Sequence, residues 1–186
     1  MRKLLVFQNV TLDGYFADPQ GDMSWAHSSD PEWMEFVAGN AGGESEILFG
    51  RVTYEMMASY WPSAHALENN PAVAAHMNEQ AKVVFSRTLD EALWSNTRLV
   101  KSDPAAEVRR MKGESGPGMV IFGSGTIIAL LAQKGLIDEY MLAVHPIVLG
   151  SGRSMFEGVK DKVSLTLTKT RAFGNGNVLL CYETAK

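Results

Sequence analysis

The chain is poor in the residues and patterns that mark several protein classes. It has a single cysteine, Cys181, among 186 residues, which excludes an internal disulfide and a CxxC metal site, and we expect a packed core thiol. The four histidines, His27, His65, His76 and His145, lack HExxH spacing, so we expect no metal site. Lys+Arg 17 against Asp+Glu 21 gives a net charge of −4 without any basic tract, so neither nucleic acid nor an anionic membrane is an expected partner.

Long apolar runs are also scarce. The apolar residues before Gln8 fall short of the roughly 7–15 that a secretion signal needs. The most apolar stretch, Met119 to Ala132, is interrupted by glycines and is shorter than the approximately 20 residues of a membrane helix. We therefore expect a cytoplasmic protein, and its length predicts one domain over residues 1–186.

The chain does contain an alternation of strand and helix patterns. Strands are predicted at Lys3–Gln8, Ile47–Phe49, Lys82–Phe85, Arg98–Lys101 and Met119–Phe122, and helices after Asp30, at Arg51–Tyr60, after Pro71, from Asp103 to Met111 and at Thr126–Gln133. Three strands without helices follow, at Tyr140–Val144, Val163–Arg171 and Val178–Glu183, the last two joined by a turn at Gly174–Asn177. This order predicts an α/β fold with a mixed, mostly parallel central sheet and an antiparallel C-terminal hairpin.

Two strands run through glycine directly into a helix, at Gly50 and at Gly123-Ser124-Gly125-Thr126. A helix N-terminus presents unpaired N–H groups and partial positive charge, and glycine lets an anion approach closely. Arg51 and Thr53 add a cation and a hydroxyl at the first junction. Each junction alone is more typical of a plain strand-to-helix turn, but the pair favours a ligand with more than one phosphate.

A third candidate site follows the strand that ends at Phe85. Ser86 and Arg87 place a hydroxyl and a guanidinium at the carboxyl end of this strand, where open α/β sheets bind ligands. Arg87 is suited to a further phosphate, although an exposed loop arginine is the alternative interpretation. Between the first strand and the first helix, the segment Thr11–Trp25 has the length and the glycine content of a lid over a pocket.

No GxGxxG follows the first strand, so the chain lacks a standard Rossmann dinucleotide site. The order of its motifs along the chain is nevertheless informative. Quoted along the chain, they are Thr11-Leu12-Asp13-Gly14-Tyr15, Gly50-Arg51-Val52-Thr53-Tyr54-Glu55, Phe85-Ser86-Arg87, Gly123-Ser124-Gly125, Gly135-Leu136-Ile137-Asp138-Glu139 and His145-Pro146-Ile147-Val148-Leu149-Gly150-Ser151-Gly152. In this combination the chain resembles the dihydrofolate reductase-like superfamily, and within it the reductase domain of bifunctional riboflavin-biosynthesis deaminase-reductases and its stand-alone relatives.

The resemblance implies a three-layer dihydrofolate reductase-like fold and NADPH-dependent hydride transfer to a small-molecule substrate. The positions it assigns to NADPH are Asn9 and Val10 beside the nicotinamide, Ser86 and Arg87 at the 2′-phosphate, and Gly50, Arg51, Thr53, Gly123, Ser124, Gly125 and Thr126 at the other phosphates. Asp13, Gly14 and Trp25 would belong to the substrate lid, and Pro146 and Gly150 to the pocket rim. The zinc motif of the deaminase half needs more cysteines than this chain has.

The catalytic group and the substrate stay open. Asp30, which follows Trp25 with a dihydrofolate reductase-like spacing, is the candidate substrate carboxylate, but it equally suits an N-cap before Pro31. The leading substrate is a ribosylamino-pyrimidine of riboflavin biosynthesis, and the alternatives are a pterin or another carbonyl or imine compound. A protein that binds NADP(H) without turnover is the rival hypothesis. We also expect a homodimer, because the C-terminal strands would leave a sheet edge uncovered.

Overall fold

The computed structural model describes residues 1–41 and 43–185 and contains an eight-stranded sheet flanked by helices. The strands are β1 (Leu4–Thr11), β2 (Tyr15–Ala17), β3 (Ser45–Gly50), β4 (Lys82–Phe85), β5 (Thr97–Val100), β6 (Gly118–Phe122), β7 (Glu139–His145), β8 (Arg153–Ser154), β9 (Leu165–Ala172) and β10 (Val178–Thr184). The helices are α1 (Pro31–Ala41), α2 (Arg51–Tyr60), α3 (Ala64–Asn69), α4 (Pro71–Glu79), α5 (Pro104–Gly113) and α6 (Gly125–Gln133), with a 3₁₀ turn at Ser24–Ala26.

The order of the strands shows where a crevice opens at one edge of the sheet. It reads β5-β4-β3-β6-β1-β7-β10-β9, parallel from β5 to β7 and antiparallel from β7 to β9. The chain leaves β3 outward to β4, whereas it leaves the neighbouring β6 in the other direction, past β1 to β7. Such a reversal opens a crevice at the carboxyl ends of the two strands. The mixed, mostly parallel sheet with its C-terminal antiparallel pair confirms the predicted fold class.

The sheet is the middle of three layers. Alternation along β1 sends Leu4 and Val6 into a core with Ile128 and Leu131 of α6 and Val108 of α5. Phe7 points to the other face, where a second core contains Phe49 of β3, Tyr54 of α2 and Met77 of α4. Helix α1 extends this second layer, with Trp33 packed on Ala143 of β7 and Leu179 of β10.

Three local features differ from the sequence predictions. Strand β1 runs on to Thr11, so Asn9 and Val10 lie within it. The short strands β2 and β8, which pair antiparallel, were not predicted, because two or three residues carry no periodicity. The alternation of leucine with threonine at the start of β9 is typical of a half-buried strand, but this prediction is wrong over most of the strand, since seven of its eight residues are exposed, with Leu167 at 52%.

Neither a metal cluster nor a membrane span is found in the described part of the chain. No group of three or more His, Cys, Asp or Glu side chains there is arranged to hold a metal ion. No helix among the same residues has the length and hydrophobicity needed to cross a bilayer.

Candidate active site

The two glycine junctions meet at the crevice between β3 and β6. A cleft of about 680 Å³ opens there, lined by the N-terminal residues of α2 and α6 and by Arg153 and Ser154 of β8. Gly50, Arg51, Thr53, Ser124, Gly125 and Thr126 line this cleft together. The structure therefore brings the predicted phosphate-binding residues of two distant segments into one site.

Hydrogen bonds tie the two junctions together. The Gly50 N–H donates to Ser124 Oγ at 2.8 Å, and the Ser124 N–H donates to Thr53 Oγ1 at 3.1 Å. The hydroxyls of Ser124 and Thr53 therefore hold the cleft in shape. The Ser124 N–H is therefore engaged within the protein and is not free for a phosphate, although the resemblance assigned Ser124 to one.

The second junction has an uncommon backbone conformation. Gly123 and Ser124 both adopt left-handed φ values, 59° and 62°, and for a non-glycine residue this costs on the order of 1 kcal/mol or more. Gly50, the N-cap of α2, has no side chain to accept a hydrogen bond from the first turn, and the Ser124 side chain accepts none from the first turn of α6. Both helix N-termini are thus left to bind an anion.

Close contacts explain the glycines of this cleft. A Cβ on Gly125 would lie 2.6 Å from Phe16 Cε1, and one on Gly123 would lie 3.1 Å from Thr53 Oγ1. A Cβ on Gly50 would approach Ile127 Cγ1 at 3.3 Å. A side chain at position 125 would force the Phe16 ring to shift, whereas at positions 50 and 123 it would press on the side chains of Ile127 and Thr53.

Two arginines supply cationic charge to the cleft. Arg51 is exposed at the start of α2, where its guanidinium pairs with Glu55 at 2.9 Å. Arg153 lines the same cleft, and its Nη2 donates to the Pro19 carbonyl at 3.4 Å. Arg153 was not identified from the sequence, because β8 has no recognisable strand pattern.

Ser86 and Arg87 follow β4 outside the set of residues that lines the cleft, although the preceding Phe85 belongs to it. Ser86 Oγ accepts hydrogen bonds from the N–H groups of Thr88 and Leu89 and so shapes the turn. Arg87 is exposed. Its predicted role at a 2′-phosphate stays a prediction.

Hydrogen bonds and strand pairing attach the segment Thr11–Trp25 to the rest of the protein. Asp13 accepts hydrogen bonds from Thr11 Oγ1 at 2.6 Å and from the Gly150 N–H at 2.7 Å, and the bond from Thr11 is the main cause that lowers the pKa of Asp13. The pairing of β2 with β8 adds a second attachment. Asp13 thus joins the predicted lid to the predicted rim at Gly150, and Gly14 completes the turn with a φ of 86°.

A second polar region lies at the end of β1 and β7, on the face covered by α1. His145 Nε2 lies 2.9 Å from Asn9 Oδ1, and the rings of Trp25 and Trp33 contact the imidazole edge-on at 5.3 and 5.6 Å between centroids. His145 is buried, and burial lowers its pKa. Pairing of neighbouring strands thus creates a histidine site that no local spacing could reveal.

The remaining predicted residues border these regions. Asp30 accepts a hydrogen bond from the Trp33 N–H at 2.9 Å and caps α1, so its carboxylate has the structural role that the sequence allowed. Val10 points into the core beside α6. Pro146 is exposed and packs near Gly176 of the β9–β10 turn.

Comparison with known proteins places the chain in a family. The model of the RibD C-terminal domain matches residues 2–179. The chain belongs to the RibD C-terminal domain family. Its members carry the reductase-like domain of riboflavin biosynthesis on a dihydrofolate reductase-like fold, as the sequence motifs predicted.

Individual relatives agree with this placement. The uncharacterized protein YyaP of Bacillus subtilis is 28% identical over 188 residues, covering 98% of this chain and 95% of YyaP. A Shewanella structure provisionally assigned to riboflavin biosynthesis superposes with a TM-score of 0.77 at 23% identity, over 99% of both chains. Enterococcus faecalis dihydrofolate reductase, solved with NADP(H), gives 0.67 at 14% identity over 99% of this chain and 97% of the enzyme. These structural likenesses show the fold.

Proposed function

We propose that this RibD-family protein is an NADPH-dependent reductase that delivers a hydride to a small heterocyclic substrate. The observation that carries the proposal is the cleft at which the N-termini of α2 and α6 converge between Arg51 and Arg153. Two uncapped helix ends and two arginines suit a ligand with several phosphates. The NADP(H) complex of the similarly folded Enterococcus faecalis enzyme supports the choice of cofactor.

The residues of the cleft fit such a cofactor. The helix N-termini after Gly50 and Ser124 would hold the diphosphate, with Arg51 as its cation, and Arg87 would take the 2′-phosphate. Glycine at 50 and 123 places no side chain between these helix termini and a ligand. Bound NADPH supplies the hydride, while the protein orients the reacting groups and excludes water.

The substrate end would lie toward Asn9 on β1. A ribosylamino-pyrimidine of riboflavin biosynthesis is the leading candidate for the substrate because of the family, and a pterin or another carbonyl or imine compound is the alternative. The decisive experiment follows NADPH absorbance with each of these compounds. Oxidation that depends on one compound supports the proposal, and tight NADPH binding without oxidation by any of them contradicts it.

One observation favours the rival, a protein that binds NADP(H) without turnover. Both carboxylates expected near the substrate, Asp13 and Asp30, accept backbone N–H groups. Once the wild type is seen to oxidise NADPH, an Asp30→Asn variant tests whether Asp30 takes part in turnover. The amide keeps an oxygen for the cap, so loss of NADPH oxidation at unchanged thermal stability would assign Asp30 to catalysis.

A further inference from the structure

Arg153 connects the predicted lid, residues 11–25, with the phosphate-binding cleft. It lines the cleft, and its backbone pairs with Ala17 of the lid. Its Nη2 donates to the Pro19 carbonyl at 3.4 Å. A Cβ on Gly21 would lie 3.4, 3.5 and 3.5 Å from Nη1, Cζ and Nη2. Because these three distances are nearly equal, the flat face of the guanidinium covers Gly21.

The edge of the same guanidinium carries its N–H donors. Within the described part of the chain, the Pro19 carbonyl is the one hydrogen-bond acceptor of Arg153. No carboxylate among those residues forms an ion pair with Arg153, whereas Arg51 of the same cleft pairs with Glu55. Since the contact with Gly21 uses the face, most N–H groups of the edge are available to the oxygens of a phosphate.

The part of the lid that Arg153 contacts is a compact turn over residues 18–22. The Asp18 N–H donates to the Asp22 carbonyl at 3.0 Å, and the Gly21 N–H donates to the Asp18 carbonyl at 3.1 Å. The Asp22 N–H donates to the Asp18 carboxylate at 2.8 Å. These bonds hold the five residues together, so a contact at Gly21 positions the whole turn.

The charge of this turn makes a cation necessary beside a bound phosphate. Residues 18–22 contain two carboxylates, Asp18 and Asp22, and neither lysine nor arginine. A hydrogen bond from Ser24 is the main cause that lowers the pKa of Asp22, so this carboxylate is charged at pH 7. Like charges repel, and the turn alone would be repelled by a phosphate. Arg153 contacts the turn and lines the cleft, so its positive charge can attract both anions.

We infer that Arg153 is a positioning residue through which a phosphate in the cleft holds the lid in place. A phosphate bound to the edge of the guanidinium fixes the side chain, and the face of the guanidinium then holds the turn at residues 18–22. The phosphate is the trigger, and the nicotinamide ring has no part in it. The inference rests on the anion-binding cleft of the proposed function and adds that the lid becomes ordered before a substrate binds.

Hydrogen exchange followed by mass spectrometry tests the inference. Inorganic pyrophosphate is the probe, and nicotinamide at equal ionic strength is the comparison without phosphate. In the wild type, saturating pyrophosphate should slow exchange about threefold or more in peptides that contain residues 18–22, whereas nicotinamide should change nothing. Calorimetric titration measures the binding. Failure of pyrophosphate to bind at millimolar concentration, or binding without slower exchange, would overturn the inference.

Three variants separate the contact with the lid from binding in the cleft. Arg153→Ala should weaken pyrophosphate binding about ten- to a hundredfold and abolish the slower exchange at saturation. Arg153→Lys keeps the charge but lacks the flat face, so it should bind pyrophosphate and lose most of the slower exchange. Arg51→Ala is the control from the same cleft, because Arg51 has no listed bond to the lid: it should bind more weakly and retain the slower exchange at saturation.

Thermal melting shows whether each variant is folded, and Arg153→Lys carries the test if Arg153→Ala no longer binds pyrophosphate. Exchange slowed as much as in the wild type in either Arg153 variant would overturn the inference. Pyrophosphate lacks a nicotinamide ring, so the experiment does not depend on hydride transfer. Slower exchange in a protein that oxidises NADPH with none of the candidate compounds would support the inference while contradicting the proposed function.

Discussion

At the scale of single residues, Glu107 shows how one carboxylate can organise a surface. It lies in the first turn of α5 and binds Arg98 at 2.6 Å and Arg110 at 2.7 Å. These bonds, with Arg110 the largest cause, lower the pKa of Glu107 to about 2. The carboxylate therefore stays charged in the folded protein at pH values where it would be protonated in the unfolded chain.

We predict that Glu107→Gln lowers the free energy of unfolding by about 1 kcal/mol at pH 7, discounted because both arginines are half exposed. The folded pKa lies below the unfolded value, so this contribution is complete above pH 4.5 and is lost as the pH falls toward 2. Urea unfolding of both proteins from pH 7 to pH 3 measures it. Glu114→Gln, which removes an exposed partner of Arg110, is the control, and a difference independent of pH would contradict the assignment.

At the scale of elements, the antiparallel pairing of β2 with β8 attaches the predicted lid, residues 11–25, to the rest of the protein. A Cβ on Gly152 would collide with the Ala17 carbonyl oxygen and lie 3.0 Å from Tyr15 Cβ. The Ala17 oxygen belongs to the backbone, so it cannot move away from a new Cβ as the end of a flexible side chain can. Gly152 is therefore the position at which a single methyl group should separate the two strands.

We predict that Gly152→Ala destabilises the protein by roughly 1–3 kcal/mol and makes residues 11–25 more sensitive to protease. Gly113→Ala is the matched control, since a Cβ there meets nothing within 4 Å. Thermal unfolding and timed proteolysis followed by mass spectrometry measure both effects. Equal thermal stability and equal protease sensitivity of the two variants would show that the pairing of β2 with β8 does not hold residues 11–25 in place.

The elements also show what a sequence can and cannot predict. Strands such as Lys82–Phe85 were predicted with their observed bounds, because a short apolar run between turn signals is a local pattern. The small sheet of β2 and β8 depends on pairing across the chain. The contact between Asn9 and His145 joins residues 136 apart in sequence and follows from the order of β1 and β7, which local patterns do not contain.

At the scale of the whole molecule, strand β9 forms one edge of the sheet and leaves Leu167 52% exposed. An uncovered edge with an apolar residue is suited to another copy of the chain. We predict a homodimer through this edge, and light scattering at micromolar concentration should give twice the monomer mass. Leu167→Glu should shift the protein to a monomer. Leu93 is 82% exposed but lies away from this edge, so the control Leu93→Glu should leave the dimer intact. A wild-type monomer would contradict the prediction.

The phosphate-binding cleft between α2 and α6 is the central claim for the molecule as a whole, and titration of NADPH and NADH by fluorescence tests it most directly. Wild type should prefer NADPH. Arg51→Ala should weaken the binding of both cofactors, because both contain the diphosphate. Arg109 lies on the exposed side of α5, so the control Arg109→Ala should change the binding of neither.

In the same titration, Arg87→Ala should lower the affinity for NADPH about ten- to a hundredfold, since charge-assisted hydrogen bonds contribute roughly 1.5–3 kcal/mol each. It should leave NADH nearly unchanged, because NADH lacks the 2′-phosphate. An Arg87→Ala protein that keeps its preference for NADPH would contradict the placement of that phosphate, and a wild-type protein that binds neither cofactor would contradict the account of the cleft.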